Sequence, residues 1–191
     1  SNAIGFGTIS NPVLSNSDNT LSWGMCENAS SYSVFEDGSI IATTNETSFT
    51  IKEVEEGTHT FYVVANSISP TIEPSGHSNS VSIVWTRLEK PTIVSDIDGD
   101  NITVRGSYGV NCVIKLDINN RLMSFSADNS GEQKVSISSK NIKGENLVIC
   151  RVFSTNPLVL PSPQSDRLCF MVDNNDTTYY KAWITGSGYG V

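Results

Sequence analysis

Short runs of apolar residues at alternating positions recur along the first half of the chain, about ten residues apart. These runs are rich in β-branched and aromatic residues, and they cover 21–23, 32–35, 40–42, 49–51, 61–65 and 81–84. Asp37-Gly38 separates the second run from the third and is typical of a two-residue hairpin turn. No 3.6-residue period competes with this pattern, so it predicts an all-β sandwich.

The second half follows a similar rhythm with a different spacing. Seven β-rich runs cover 91–94, 102–106, 112–117, 121–125, 134–137, 147–152 and 168–172. Seven strands is the count of an immunoglobulin-like sandwich. The sequence therefore predicts two tandem β-sandwiches.

Charge places the boundary between the two halves. Residues 1–86 contain nine acidic residues and one basic residue, Lys52, whereas residues 87–191 contain eleven of each. Pro91 cannot donate a hydrogen bond to a central ladder and suits the start of a new edge strand. We predict domains at 1–86 and 87–175, joined near 86–90, with residues 1–3 typical of a cleaved expression tag.

The first half resembles a fibronectin type III module over about residues 8–86. The resemblance lies in Trp23, in Tyr32-x-Val34 before Asp37-Gly38, and in Phe61-x-Val63-x-Ala65. It implies that Trp23 is a core residue, packed with Val34, Phe49, Ile51, Phe61 and Val63. Family members usually carry a tyrosine two residues before Phe61, where it tethers a strand corner. This chain has His59 there, and we expect a structural imidazole.

The second half, about residues 88–173, resembles bacterial Ig-like repeats. The resemblance lies in Asp98-Gly99-Asp100, in Ile102-x-Val104-x-Gly106 and in Val135-x-Ile137. It implies a further immunoglobulin-like sandwich of the kind found in strings on surface proteins.

Composition excludes several classes of function. Ser, Thr and Asn account for 62 of 191 residues, a proportion typical of strands and turns, and the net charge is -8 with a pI near 4.6. That charge has the wrong sign for neutralising phosphates, so we expect no nucleic-acid partner. No run reaches 18 apolar residues, so we also expect no membrane insertion.

Catalytic chemistry has little support in the sequence. The two histidines, His59 and His77, lie outside any Gly-x-Ser-x-Gly or His-Glu-x-x-His setting. We therefore predict that the chain is not an enzyme.

The four cysteines show no Cys-x-x-Cys spacing for zinc. Strand alternation sends Cys112 and Cys150 inward on two neighbouring strands. They are either bonded to each other or, as we prefer, free buried thiols that pack as small hydrophobes.

Asp96, Asp98 and Asp100 are candidate calcium ligands because their carboxylates supply the hard oxygens that calcium prefers. The alternative is an acidic turn between two strands. Calcium is the one cofactor that the sequence suggests.

Residues 176–191 form an aromatic segment that follows the predicted second sandwich. Tyr179, Tyr180 and Trp183 either form an added strand or contact a ligand or partner. With Trp85, they are the candidate platforms for stacking on a sugar.

These observations favour a non-catalytic interaction or spacer module of a bacterial modular protein, secreted or at the cell surface, with a protein or polysaccharide partner. The alternatives are a polysaccharide-binding module and a decoration domain of a phage tail or virion.

Overall fold

The computed structural model describes residues 7–52, 54–95, 101–136, 144–172 and 179–183. The chain divides into two compact units, Ser1–Thr86 and Arg87–Val191. Within these residues, the regular structure of both units consists of β-strands. Within the described ranges, no helix has the length and apolarity needed to cross a membrane.

The first unit contains nine described strands, and the longest of them coincide with the apolar runs of the sequence. In chain order they are β1 (Gly7–Thr8), β2 (Leu14–Ser17), β3 (Thr20–Trp23), β4 (Ser31–Glu36), β5 (Ser39–Thr44), β6 (Ser48–Thr50), β7 (Gly57–Asn66), β8 (Ile72–Glu73) and β9 (Val81–Arg87).

Two antiparallel sheets form the sandwich of the first unit. One has the order β2-β3-β6 and the other has the order β9-β7-β4-β5, and β1 pairs with β8 in a short parallel ladder. The β4–β5 hairpin turns at Asp37 (φ 47°) and Gly38 (φ 87°). Positive φ at both central residues defines the type I′ turn that the Asp-Gly pair predicts.

Trp23 belongs to the core of the first unit, as predicted. It is 6% exposed, and its ring meets Tyr32 edge to face with centroids 5.4 Å apart. The Tyr32 hydroxyl accepts a hydrogen bond from the Cys26 backbone N–H at 2.9 Å. Val34, Phe61 and Val63 are fully buried between the two sheets.

The second unit contains nine described strands, including all seven that the sequence predicts. They are β10 (Thr92–Ser95), β11 (Asn101–Arg105), β12 (Cys112–Ile118), β13 (Arg121–Ser126), β14 (Glu132–Ser136), β15 (Gly144–Ser154), β16 (Val159–Leu160), β17 (Leu168–Val172) and β18 (Tyr179–Trp183).

The second unit repeats the strand order of the first. Its sheets run β10-β11-β14 and β13-β12-β15-β17-β18, which is a three-stranded sheet and a four-stranded sheet with β18 added at the edge. The β12–β13 hairpin also turns through two residues with positive φ, Asn119 and Asn120. The fold is therefore all-β, with a fibronectin III-like or immunoglobulin-like arrangement in each unit. A specifically bacterial Ig-like second unit is not confirmed.

A shared serine pair holds the corresponding long strand in each unit. In the segment Pro74-Ser75-Gly76-His77-Ser78, the Ser75 hydroxyl accepts a hydrogen bond from the Ala65 backbone N–H, and the Ser78 hydroxyl accepts one from the Val63 backbone N–H. In the segment Pro161-Ser162-Pro163-Gln164-Ser165, the Ser162 hydroxyl accepts a hydrogen bond from the Val152 backbone N–H, and the Ser165 hydroxyl accepts one from the Cys150 backbone N–H. All four serines are buried, so these side chains replace strand-to-strand hydrogen bonds that the local backbone does not supply.

The four cysteines are free and buried. Cys112 and Cys150 lie on paired strands, as predicted, but Cys112 is opposite Ser154 and Cys150 is opposite Leu116. That offset of four residues corresponds to about 13 Å along a strand, which is well beyond the Cα separation that a disulfide spans. The two thiols therefore pack as small core side chains.

Candidate functional site

The sheet β9-β7-β4-β5 of the first unit carries two groups of side chains with chemistry of their own. Val34, Phe61 and Val63 face the core, so their sequence neighbours Phe35 and Tyr62 face outward. We call Phe35, Tyr62 and His77 the outer aromatic cluster. We call Glu36, Asp37 and His59 the carboxylate–imidazole cluster, and it lies where β4 ends.

The outer aromatic cluster is built on the pairing of β4 with β7. Phe35 lies directly opposite Tyr62, and the two rings stack with centroids 4.5 Å apart and planes 13° apart. His77 stacks on Tyr62 in the same way, at 4.3 Å and 18°. Phe35 and Tyr62 are half-buried and His77 is exposed, so the cluster forms a preassembled apolar surface facing solvent.

The strand beside the cluster extends this apolar surface to the edge of the sheet. Ile40 is opposite Phe35 and is 61% exposed, and Ile41 follows it at a bulge in β5. Among the described strands, β5 is the terminal strand of its sheet, and one side of its backbone pairs with none of them. Charged residues and proline usually protect an exposed strand edge from pairing with another strand. Residues 39–44 contain neither.

In the carboxylate–imidazole cluster, two carboxylate oxygens lie close to one ring nitrogen of His59, and all three groups can bind a metal ion. His59 Nδ1 lies 2.9 Å from Glu36 Oε1 and 3.0 Å from Asp37 Oδ2. Asp37 Oδ1 accepts the Thr60 backbone N–H at 2.8 Å. That hydrogen bond, followed by the contact with His59, holds the pKa of Asp37 below its ordinary value.

The structure confirms one expectation about this end of the sandwich and corrects another. His59 is a structural imidazole, as expected, and it ties β7 to the β4–β5 turn. Trp85 is 2% exposed and meets both His59 and Phe61 edge to face. The hypothesis that Trp85 is a sugar-stacking platform is therefore wrong, because its ring faces are inside the core.

The other predicted site residues fall largely outside what the structure describes. Asp96, Asp98 and Asp100, the candidate calcium ligands, lie outside the described residues. The backbone of Tyr179–Trp183 forms β18, an added strand that pairs with β17 in the register Tyr179 opposite Val172 and Trp183 opposite Leu168. The side chains of Tyr179, Tyr180 and Trp183 lie outside the described part of the structure.

Burial in the second unit favours the neutral forms of Cys150 and Tyr108. Burial raises the pKa of Cys150 to about 12. Burial, followed by the nearby Cys150, Glu89 and Cys112, raises the pKa of Tyr108 above its ordinary value. A thiol with so high a pKa is a poor nucleophile at neutral pH, because the thiolate is the reactive form.

Comparison with known proteins yields structural similarity alone. No protein-family model matches the chain, and no curated protein matches it. Among solved structures, the chicken interferon gamma receptor alpha chain is 13% identical, with a TM-score of 0.40 over 86% of this chain and 98% of that chain. The Clostridium thermocellum CbhA fibronectin(III)-like modules are 10% identical, with a TM-score of 0.37 over 90% of this chain and 92% of theirs.

A third similar structure is the BSP domain of a biofilm associated protein. It is 18% identical, with a TM-score of 0.35, and the match covers 88% of this chain and 31% of that chain. This chain thus spans about a third of the length of that protein. The assignment of fold rests on the strand order within each unit.

The sequence analysis predicted neither cluster, although strand alternation indicates part of the outer aromatic cluster. Phe35 and Tyr62 alternate with core residues on two predicted strands, so their outward direction follows from strand alternation. Strand alternation does not predict that β4 and β7 pair with Phe35 opposite Tyr62. His77 lies in a connection between strands, and its stacking on Tyr62 depends on how the neighbouring serine pair fixes that connection.

Proposed function

We propose that this chain is a non-catalytic interaction module of a secreted or cell-surface modular protein, and that the outer aromatic cluster is its main contact surface. The observation that carries the proposal is the stacked, partly exposed set of Phe35, Tyr62 and His77 beside the exposed Ile40. Aromatic side chains are enriched at the centres of protein interfaces.

A protein partner fits this surface better than a polysaccharide does. Ser33 with Asn66, and Thr60 with Ser82, form hydroxyl and amide pairs around the aromatic side chains. An apolar centre within a polar rim is the usual anatomy of a protein interface. The unprotected edge of β5 also offers backbone groups to another strand, which a sugar chain cannot supply.

Binding to intact cells of the organism that encodes the chain tests this proposal. We expect saturable binding of the fluorescently labelled chain that protease treatment of the cells removes and glycosidase treatment leaves intact. Tyr62→Ser and Ile40→Lys should each weaken binding at least tenfold. Leu122→Ser, which removes a 65% exposed side chain from the second unit, is the matched control and should leave binding unchanged.

Polysaccharide binding through Tyr179, Tyr180 and Trp183 remains the first alternative. Their strand, β18, is the terminal strand of its sheet among the described strands. In the cell assay, this alternative predicts binding that glycosidase removes and that Tyr62→Ser does not change. Retention of the chain on a glycan array that is lost in Trp183→Ala would favour polysaccharide binding. Failure of every glycan to retain the chain would exclude polysaccharide binding.

A virion or phage-tail decoration domain is the second alternative, and the free cysteines favour it. Cys26, Cys112, Cys150 and Cys169 are all buried and unpaired. Oxidising compartments select paired cysteines, whereas assembly in a reducing cytoplasm does not. The parent gene distinguishes the two locations: an export signal or wall anchor supports the surface proposal, and adjoining tail-fibre sequence supports the virion one.

A further inference from the structure

The carboxylate–imidazole cluster holds more negative charge around His59 than one imidazole proton can satisfy. Glu36 Oε1 and Asp37 Oδ2 both lie within 3.0 Å of the same nitrogen, Nδ1. A neutral imidazole offers one hydrogen there. Two carboxylates that converge on one N–H repel each other, and a divalent cation at that point would neutralise both.

The three donor atoms are already spaced for a small cation. They all lie within 4.8 Å of one another. Zinc bonds of about 2.0 to 2.2 Å in a tetrahedral site place neighbouring ligand atoms roughly 3.3 to 3.5 Å apart. The two contacts of Nδ1 need to open by only a few tenths of an ångström to admit the ion.

The local backbone fixes two of the ligands before any ion arrives. Asp37 is held at both ends, since its backbone N–H donates to the Thr60 carbonyl at 2.9 Å and its Oδ1 accepts the Thr60 N–H. This leaves Oδ2 directed at His59. His59 is anchored on β7, opposite Ile83, with its ring against Trp85. Preorganised ligands of this kind lower the entropic cost of binding.

Access and charge both favour a cation. The Asp37 side chain is 51% exposed, whereas those of Glu36 and His59 are 18% and 17% exposed, so the cluster is open to water on the Asp37 side. Residues 1–86 carry nine acidic residues and one lysine. The resulting negative field raises the local concentration of cations.

From this geometry we infer that Glu36, Asp37 and His59 form a binding site for a first-row divalent cation of the zinc type. The protein supplies two carboxylate oxygens and the imidazole Nδ1, and water completes the coordination. Mixed nitrogen and oxygen donors suit zinc, nickel and copper, whereas calcium prefers a larger set of oxygens. The site is distinct from the predicted calcium ligands Asp96, Asp98 and Asp100.

The second nitrogen of His59 limits the affinity of this site. His59 Nε2 is buried and has no hydrogen-bond partner. A metal-bound imidazole carries its proton on that nitrogen, and loss of its usual acceptor costs about 10- to 100-fold in metal affinity. We therefore expect an exchangeable ion rather than a permanently held structural one.

Titration of the tag-free chain with zinc tests the inference. Isothermal calorimetry should show one ion per chain, with binding at least tenfold weaker in Asp37→Asn, Glu36→Gln and His59→Gln. Asparagine tolerates the positive φ of residue 37, so Asp37→Asn preserves the turn even where His59→Gln impairs folding. Asp18→Asn is the matched control, because Asp18 is another turn aspartate with positive φ (49°). His77→Gln controls for the other histidine.

Tryptophan fluorescence supplies an independent readout, because Trp85 lies 5.8 Å from His59 between ring centroids. Copper or nickel should quench this fluorescence saturably, and zinc should reverse the quenching by competition. Quenching should persist unchanged in Asp18→Asn and require at least tenfold more metal in Asp37→Asn. Absence of zinc binding at millimolar concentration, or equal binding by wild type and Asp37→Asn, would overturn the assignment.

Discussion

The ring of Tyr108 lies directly against the backbone of Gly106 in the second unit. A Cβ atom added at Gly106 would overlap the Tyr108 ring and hydroxyl. Tyr108 is 5% exposed, and its hydroxyl donates a hydrogen bond to the Glu89 carbonyl at 3.0 Å. Because core packing and this hydrogen bond hold the ring, it has little freedom to move away.

Gly106→Ala should therefore destabilise the second unit by about 2 to 4 kcal/mol, through overpacking and an unfavourable positive φ of 157°. The matched control is Gly109→Ala, where the nearest atom to an added Cβ is Asn129 Oδ1 at 3.6 Å. Calorimetric unfolding of both variants measures the difference. Equal stabilities for the two variants would contradict the packing described.

The serine pairs should contribute similarly to the two units. Ser78→Ala leaves the buried Val63 N–H without its side-chain acceptor, and Ser165→Ala does the same to Cys150. An unsatisfied buried N–H costs about 1 to 3 kcal/mol. Hydrogen exchange should locate the loss in β7 for Ser78→Ala and in β15 for Ser165→Ala. The exposed Ser80→Ala should change stability by less than about 0.5 kcal/mol.

Alkaline pH should weaken the second unit because of Cys150. The folded chain holds this thiol proton up to about pH 12, whereas the unfolded chain releases it near the ordinary pKa of 9.0. The stabilisation is therefore fully present below pH 9 and declines as pH rises from 9 towards 12. One such proton contributes a slope of up to about 1.4 kcal/mol per pH unit.

Urea unfolding at pH 8, 9, 10 and 11 measures this slope. Cys150→Val should show a shallower decline above pH 9 than wild type. The decline that remains above pH 10 in the variant should come partly from Tyr108, whose pKa burial also raises. Identical pH profiles for wild type and Cys150→Val would rule out a contribution from this thiol.

Calcium binding at Asp96, Asp98 and Asp100 stays a prediction from the sequence. Calcium at 100 times its dissociation constant should add about 2.7 kcal/mol to the free energy of unfolding. Asp98→Asn should lose this gain. An unchanged unfolding midpoint at millimolar calcium would leave the acidic turn as the better interpretation.

Alternation predicted the strands well because burial on one face is a local property of the chain. The period of two sent Cys112 and Cys150 inward, and the resemblance to a fibronectin type III module placed Trp23, Val34 and Phe61 in the core. The Asp37-Gly38 turn followed from the φ angles that a two-residue hairpin requires. Each of these inferences needs only neighbouring residues.

Features that depend on register or on long connections were missed. Phe35 meets Tyr62, and His59 meets Glu36, only because β4 and β7 pair in one particular alignment. The very short strands β1, β8 and β16 have no local pattern to reveal them. The repeated Pro-Ser-x-x-Ser was visible, however, and a comparison of the two halves would have found it.

Oxidative footprinting of the cell-bound chain tests the central claim, that the outer aromatic cluster is the contact surface. Hydroxyl radicals modify exposed aromatic side chains, and a bound partner shields them. We predict that binding protects Phe35, Tyr62 and His77 at least threefold while leaving the modification of Tyr179, Tyr180 and Trp183 unchanged. Protection of Tyr179, Tyr180 and Trp183, with Tyr62 modified as fast as in the free chain, would contradict the account.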